Sequence, residues 1–135
     1  MESRFVLDRH DAIRRGLHFD LRIKLPDSDN WLSFSMNEFP PTEVNKRIYI
    51  VKTNLHSSEE ALFTGTIKSG YGAGKITRVD QGECIIHKYS KTHIFVEFKG
   101  KKLKGKYHLI STAIFGGKKP NYYRNVYVFF KGKII

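Results

Sequence analysis

The sequence predicts an all-β protein, mainly strands, closed as a small β-barrel with one or two short helices. Two observations carry this expectation. Short β-branched and aromatic runs recur along the chain, and clusters of Gly, Pro, Asp and Asn separate them. Closure into a barrel follows because an open sheet of so many strands would expose its edges. The 135 residues fit one domain, 1–135, long enough to bury a core without disulfides or a structural metal.

The elements follow in order. Phe19 to Leu25 alternates apolar and charged residues, the period-two pattern of a half-buried strand. Ile48 to Val51 is a short β-branched run. His93 to Phe98 is another, ending before Gly100. Tyr107 to Ile110 follows a basic tip formed by Lys99, Lys101, Lys102, Lys104 and Lys106, and Val126 to Phe130 is the last strand. Turns are expected at Pro26–Asn30, Phe39–Pro41, Gly70–Gly74 and from Gly116 to Pro120. A short helix is expected over Ser57–Leu62, with a serine N-cap and Glu59 and Glu60 in its first turn.

Charge narrows the partner. Lys and Arg number 24 against 13 Asp and Glu, a formal net charge of +11. Such an excess points to a polyanion, with nucleic acid first and an anionic membrane surface second. The membrane reading needs an amphipathic basic helix or an apolar span, and the sequence offers neither. The lone Cys84 lies in an apolar run and reads as a small core residue, so the fold does not rely on oxidation. The N-terminus carries no apolar stretch of signal-peptide length. The expected setting is the cytoplasm, in association with the nucleoid.

The densest chemistry lies in Arg9-His10-Asp11 and His18-Phe19-Asp20-Leu21-Arg22. Positions two apart on a strand point to the same side, so His18, Asp20 and Arg22 share one face while Phe19, Leu21 and Ile23 take the other. With His10, two imidazoles and a carboxylate form a donor set for a divalent metal with open positions for water or phosphate. Arg22 beside it suits bidentate grip of a phosphate. The competing reading of the same spacing is a solvated strand face with a salt bridge.

These residues resemble a family. His10-Asp11-Ala12 through His18-Phe19-Asp20-Leu21-Arg22 is similar to the motif of the 3′-phosphoesterase domain found in bacterial ligase D and in free-standing archaeal and bacterial proteins. The resemblance continues through Trp31, through His56 nine residues before Gly65, and through Phe63-Thr64-Gly65-Thr66-Ile67. It extends to Gly70-Tyr71-Gly72-Ala73-Gly74 and to Lys102-Leu103-Lys104-Gly105-Lys106-Tyr107-His108-Leu109.

The resemblance implies a closed β-barrel with a polar crater. It implies an enzyme that removes a terminal ribonucleoside and then the remaining 3′-phosphate, leaving a ligatable 3′-hydroxyl in DNA repair. It implies Mn2+, or another divalent transition metal, held by His10, His18 and Asp20. Arg22, Arg47 and Tyr71 become phosphate contacts, and His56 a residue near the transferring phosphate. The implied partners are DNA or RNA/DNA primer-template 3′ ends and a DNA ligase or repair polymerase, with the protein a monomer.

Three departures from the family pattern stand out. Seven residues rather than five separate His10 from His18, and the added length is expected to bulge out so that His10 can reach the metal. A lysine expected shortly after the tryptophan is replaced by the Ser33-Phe34-Ser35 stretch, which leaves the 3′-phosphate-removal step one cation short. Asp8 stands where a glutamine is usual.

Other residues allow two readings. By spacing alone His56 is a surface loop residue; the resemblance reverses that. Tyr71 among glycines suits a loop that approaches a ligand. His87, His93 and His108 read as structural. The alternative function is a non-catalytic basic nucleic-acid-binding β-barrel, with Tyr122, Tyr123 and Tyr127 stacking on a single strand. A third is a member of the same family whose longer spacing has disabled the site.

Overall fold

The computed structural model describes residues 1–44, 46–115 and 125–132. In chain order these form strands β1 (Glu2–Ala12), β2 (Gly16–Lys24), β3 (Trp31–Met36) and β4 (Arg47–His56), then helix α1 (Ser58–Leu62). Strands β5 (Gly65–Ile67), β6 (Gly74–Tyr89), β7 (His93–Lys99), β8 (Lys104–Ser111) and β9 (Val126–Lys131) follow, with a 3₁₀ turn at Thr112–Phe115 before the last. The strands pair in the order β1-β2-β3-β4-β9-β8-β7-β6, and β6 returns to β1. All these pairings are antiparallel, so the result is a closed eight-stranded barrel. The short β5 is added at the start of β6.

The five expected strands are all present, and β4 runs five residues beyond the expected run, to His56. The sequence did not mark β1, β3 or β5, and of β6 only the run around His87 read as strand-like. Phe5, Val6, Leu7 and Asp8 are all buried in succession, as are all six residues of β3, so neither strand shows a clean alternation. Two layers explain this. Phe5, Leu7, Leu21, Ile23, Leu32 and Phe34 enter the main core. The alternate residues of the same strands face away from that core: Val6 and Trp31 are covered by the chain segment from Ser57 to Gly74, and Ser33 and Ser35 line a cleft.

That covering segment begins with α1. Ser57 caps the helix through a reciprocal pair of bonds: Glu60 N–H donates to Ser57 Oγ (3.2 Å), and Ser57 N–H donates to Glu60 Oε1 (3.1 Å). Trp31 Nε1–H donates to Ser58 Oγ at 2.8 Å, and Ala61 packs with Val6 and Trp31 in a second small core. The segment ends at Gly74 (φ +147°), where a Cβ would overlap the Asp11 carbonyl of β1.

Several expectations change. Lys104 and Lys106 lie on β8 rather than at the hairpin tip. The tip itself is organised by buried Asp80, whose carboxylate accepts from the backbone N–H groups of Lys101, Lys102 and Leu103 at 3.1, 2.9 and 2.7 Å. Tyr127 is 3 % exposed, so it offers no face for base stacking. Tyr122, Tyr123 and the turn from Gly116 to Pro120 lie outside the described residues. Cys84 is in the main core, and burial pushes its thiol up to about 12. No helix of the described residues is long and apolar enough to cross a membrane.

Candidate active site

The β1–β2 hairpin builds the site by register. His10 and His18 are direct cross-strand partners, and the pairing runs unbroken from Phe5↔Ile23 to Ala12↔Gly16. The two extra residues therefore do not bulge out; they sit in a longer hairpin, which brings the imidazoles to a 4.7 Å centroid separation. Asp20 is two residues along from His18, on the same face. Its Oδ2 lies 3.5 Å from His10 Nδ1 and 3.4 Å from His18 Nε2. The three donor atoms lie within 4.8 Å of one another, and all three residues are buried.

The remaining ring nitrogens are occupied. His10 Nε2 donates to the Gly72 carbonyl at 2.8 Å, and His18 Nδ1 donates to the Gly16 carbonyl at 3.1 Å. A carbonyl can only accept, so each bond uses that nitrogen's proton and turns the other ring nitrogen toward Asp20, where a bound metal would take its lone pair. Burial works to raise the Asp20 carboxyl. The His18 hydrogen bond, the Arg22 charge and the two histidines outweigh it and hold the carboxyl below its usual value. Two oriented imidazoles and an ionised carboxylate fit a divalent transition metal.

Arg22 completes the row. Its Nη2 is 3.9 Å from Asp20 Oδ2, and its Nη1 is 3.6 Å from Asp8 Oδ2. Both contacts are electrostatic rather than hydrogen bonds, and buried Nε and Nη1 have no hydrogen-bond partner among the described residues. A buried guanidinium with unused donors is prepared for an anion. Asp8, completely buried, holds Arg22 from behind and binds Arg78 Nε at 2.5 Å. Burial raises the Asp8 carboxyl against the pull of these two guanidinium groups.

A cleft of about 240 Å³ opens onto this cluster, lined by His10, His18, Asp20 and Arg22 together with Arg15, Ser33, Ser35, Thr53, His56 and Tyr71. His56, at the end of β4, pairs with Trp31 and has Nδ1 3.5 Å from Glu60 Oε2. Tyr71 stands at the rim, 68 % exposed. Six of the seven residues picked out by sequence thus meet in one cleft. Arg47 does not. It lies at the far end of β4, about 20 Å of extended strand from Thr53, with its guanidinium 4.9 Å from the centre of the Phe130 ring.

Four cleft or supporting residues escaped the sequence reading. Asp8 precedes His10 by two and so shares its face, a signal that parity alone supplied. Arg78 comes from β6, 70 residues from Asp8, and nothing local marks it. Arg15 and Ser35 meet only through the hairpin geometry. Two other clefts, of about 280 and 270 Å³, are lined by side chains of mixed sign and include no histidine.

Comparison with known proteins identifies the family. Residues 8–111 match the family described as the DNA Ligase D 3′-phosphoesterase domain. The chain is 34% identical over 124 residues to the multifunctional non-homologous end joining protein LigD of Mycolicibacterium smegmatis, covering 82% of this chain and 16% of that protein. It is 30% identical over 119 residues to the protein of the same name from Pseudomonas aeruginosa, covering 84% of this chain and 14% of that protein. The chain therefore spans only about a sixth of the length of these relatives. With the match running from Asp8 on β1 to Ser111 at the end of β8, the chain belongs to the DNA ligase D 3′-phosphoesterase domain family.

Proposed function

We propose that this chain is a manganese-dependent phosphoesterase that trims nucleic acid 3′ ends. It removes a 3′-terminal ribonucleoside, then the 3′-phosphate left behind, and delivers a 3′-hydroxyl to a ligase in end-joining repair. Such work belongs in the cytoplasm, at the chromosome. The observation that carries this reading is the convergence of His10, His18 and Asp20 beside the underused guanidinium of Arg22.

A divalent metal held by His10 Nδ1, His18 Nε2 and Asp20 Oδ2 would draw charge from a phosphate and lower the pKa of a bound water. The chain's own groups do the rest. Gly72 and Gly16 hold the imidazoles in the tautomers that leave those nitrogens free. Arg22, whose Nη2 is the end of the guanidinium turned toward Asp20, offers its positive charge to phosphate oxygens as negative charge develops. Tyr71 offers its hydroxyl from the rim. His56, with Nδ1 turned to Glu60, has Nε2 available to pass a proton to the leaving oxygen. Arg47 is dropped from the proposed phosphate contacts, since its position on the Phe130 ring removes it from the cleft. Of the stacking residues of the non-catalytic alternative, Tyr127 is buried, and Tyr122 and Tyr123 lie outside the described residues.

A labelled primer annealed to a template and ending in one ribonucleotide tests the reading. With manganese, the expected products are first a strand one nucleoside shorter bearing a 3′-phosphate, then the same strand with a 3′-hydroxyl. Intact primer at every manganese concentration, or internal cuts, would defeat the proposal.

A further inference from the structure

The cleft holds a second arginine that the chemistry above leaves unused. Arg15 sits at the tip of the β1–β2 hairpin, and its guanidinium reaches across to β3. Nη1 donates to Ser35 Oγ, and Nη2 donates to Asn37 Oδ1 at 3.1 Å. Both partners are neutral, and no carboxylate of the described residues pairs with it. A few other cations of the described residues have a carboxylate partner: Arg9 with Asp11 at 3.2 Å, Lys46 with Glu38 at 3.2 Å, Arg78 with Asp8 at 2.5 Å. Arg15 therefore brings its full charge to the cleft it lines.

The tip is also held in place. Ile13 N–H donates to the Ala73 carbonyl at 2.8 Å, which ties the hairpin to the glycine-rich loop on one side while Arg15 ties it to β3 on the other. Register then fixes where the charge falls. Arg22 pairs with Ser33, and Asp20 pairs with Ser35. Arg22 and Arg15 thus flank the Asp20 position from opposite directions along the strand. The Ser33-Phe34-Ser35 stretch carries no cation of its own. The β1–β2 hairpin supplies one to it through Arg15.

We propose that Arg15 is the second phosphate-gripping residue of the site and sets its preference for a strand ending in a 3′-phosphate. This rests on the phosphoesterase reading above. A phosphodiester carries one negative charge. A terminal phosphomonoester, with its second pKa near 6, carries close to two at neutral pH. Arg22 faces one side of a phosphate at the cluster. Arg15, with a planar fork of donors and no carboxylate partner, faces the side where the additional charge lies. The added charge makes Arg15 matter more for 3′-phosphate removal than for ribonucleoside removal.

The test compares wild type, Arg15→Ala, Arg15→Lys and, as a control at the same tip, Arg14→Ala. Each is assayed for removal of a 3′-phosphate and of a 3′-ribonucleoside from otherwise identical duplexes. Each is also measured, without metal, for binding to the duplex with a 3′-phosphate and with a 3′-hydroxyl. Arg15→Ala should slow 3′-phosphate removal by about ten- to a hundredfold, the range of one charge-assisted contact, and slow ribonucleoside removal only a few-fold. It should erase most of the wild-type binding preference for the 3′-phosphate end. Arg15→Lys should fall between, and Arg14→Ala should match wild type. A role confined to holding the hairpin would slow both reactions equally and leave the binding preference intact, which overturns the proposal. So would a wild type without that preference. A wild type that prefers the 3′-phosphate through Arg15 but turns over neither strand would instead defeat the hydrolase reading and leave Arg15 as an end-recognition residue.

Discussion

His10 and His18 each use one ring nitrogen to bind a backbone carbonyl, and this orients the other toward Asp20. Replacing any of the three by alanine removes a proposed metal donor. Each such variant is expected to lose about a thousandfold or more in 3′-end processing, as several kcal/mol of charge stabilisation disappear, with an unchanged far-UV spectrum. His56 makes a different prediction. If it carries a proton to the leaving oxygen, His56→Ala should lower kcat by about a hundred- to ten-thousandfold while manganese and strand affinities hold. Equal weakening of strand binding would make it a phosphate clamp instead. The sequence made the row His18-Asp20-Arg22 legible because strand parity is a local rule. The same parity marked Asp8 beside His10, but its role depends on Arg78, which arrives from β6, and no local pattern announces that meeting. Arg47 shows the opposite failure: a position carried over by resemblance, with one residue of offset, lands far from the cleft.

At the scale of elements, helix α1 was legible because a capping box is written in four consecutive residues. Strands β1 and β3 were not, because both their faces are buried and the alternation that marks a strand vanishes. The β7–β8 turn carries its own prediction. Asp80 is buried at 6 % exposure and accepts from four backbone N–H groups, those of Gln81, Lys101, Lys102 and Leu103. Burial works to raise its carboxyl, but these bonds hold it below the usual aspartate value. A depressed carboxyl stabilises the fold above its unfolded-state value, and that contribution is lost as pH falls through the folded value. Asp80→Asn turns an amide group toward some of these donors and should cost about 1–3 kcal/mol at neutral pH. Denaturation curves should show a constant gap from wild type above about pH 5 that narrows below pH 4. A gap that does not change with pH would show that the charge of Asp80 plays no part. Gly100 beside it has no room for a side chain, since a Cβ would meet Phe5 at 2.7 Å.

At the scale of the whole molecule, closure through β1–β6 joins residues about 70 apart, which only the tally of strands and the edge argument anticipated. The +11 charge pointed to a polyanion without saying where it would bind. If lysine and arginine contacts displace counterions, affinity for a duplex with a recessed 3′ end should fall by about a thousandfold or more between 50 and 200 mM salt, as for six or more phosphate contacts. A flat dependence would assign the charge to solubility alone.

The central claim is that the His10–His18–Asp20 cluster is a metal centre for 3′-end chemistry, and the isosteric Asp20→Asn variant tests it most directly. Manganese titrations of 3′-end processing, run side by side on wild type and variant, should give saturable activity for the wild type, none in excess chelator, and almost none for the variant at any manganese concentration. Undiminished processing by Asp20→Asn, or wild-type processing that persists in chelator, would contradict it.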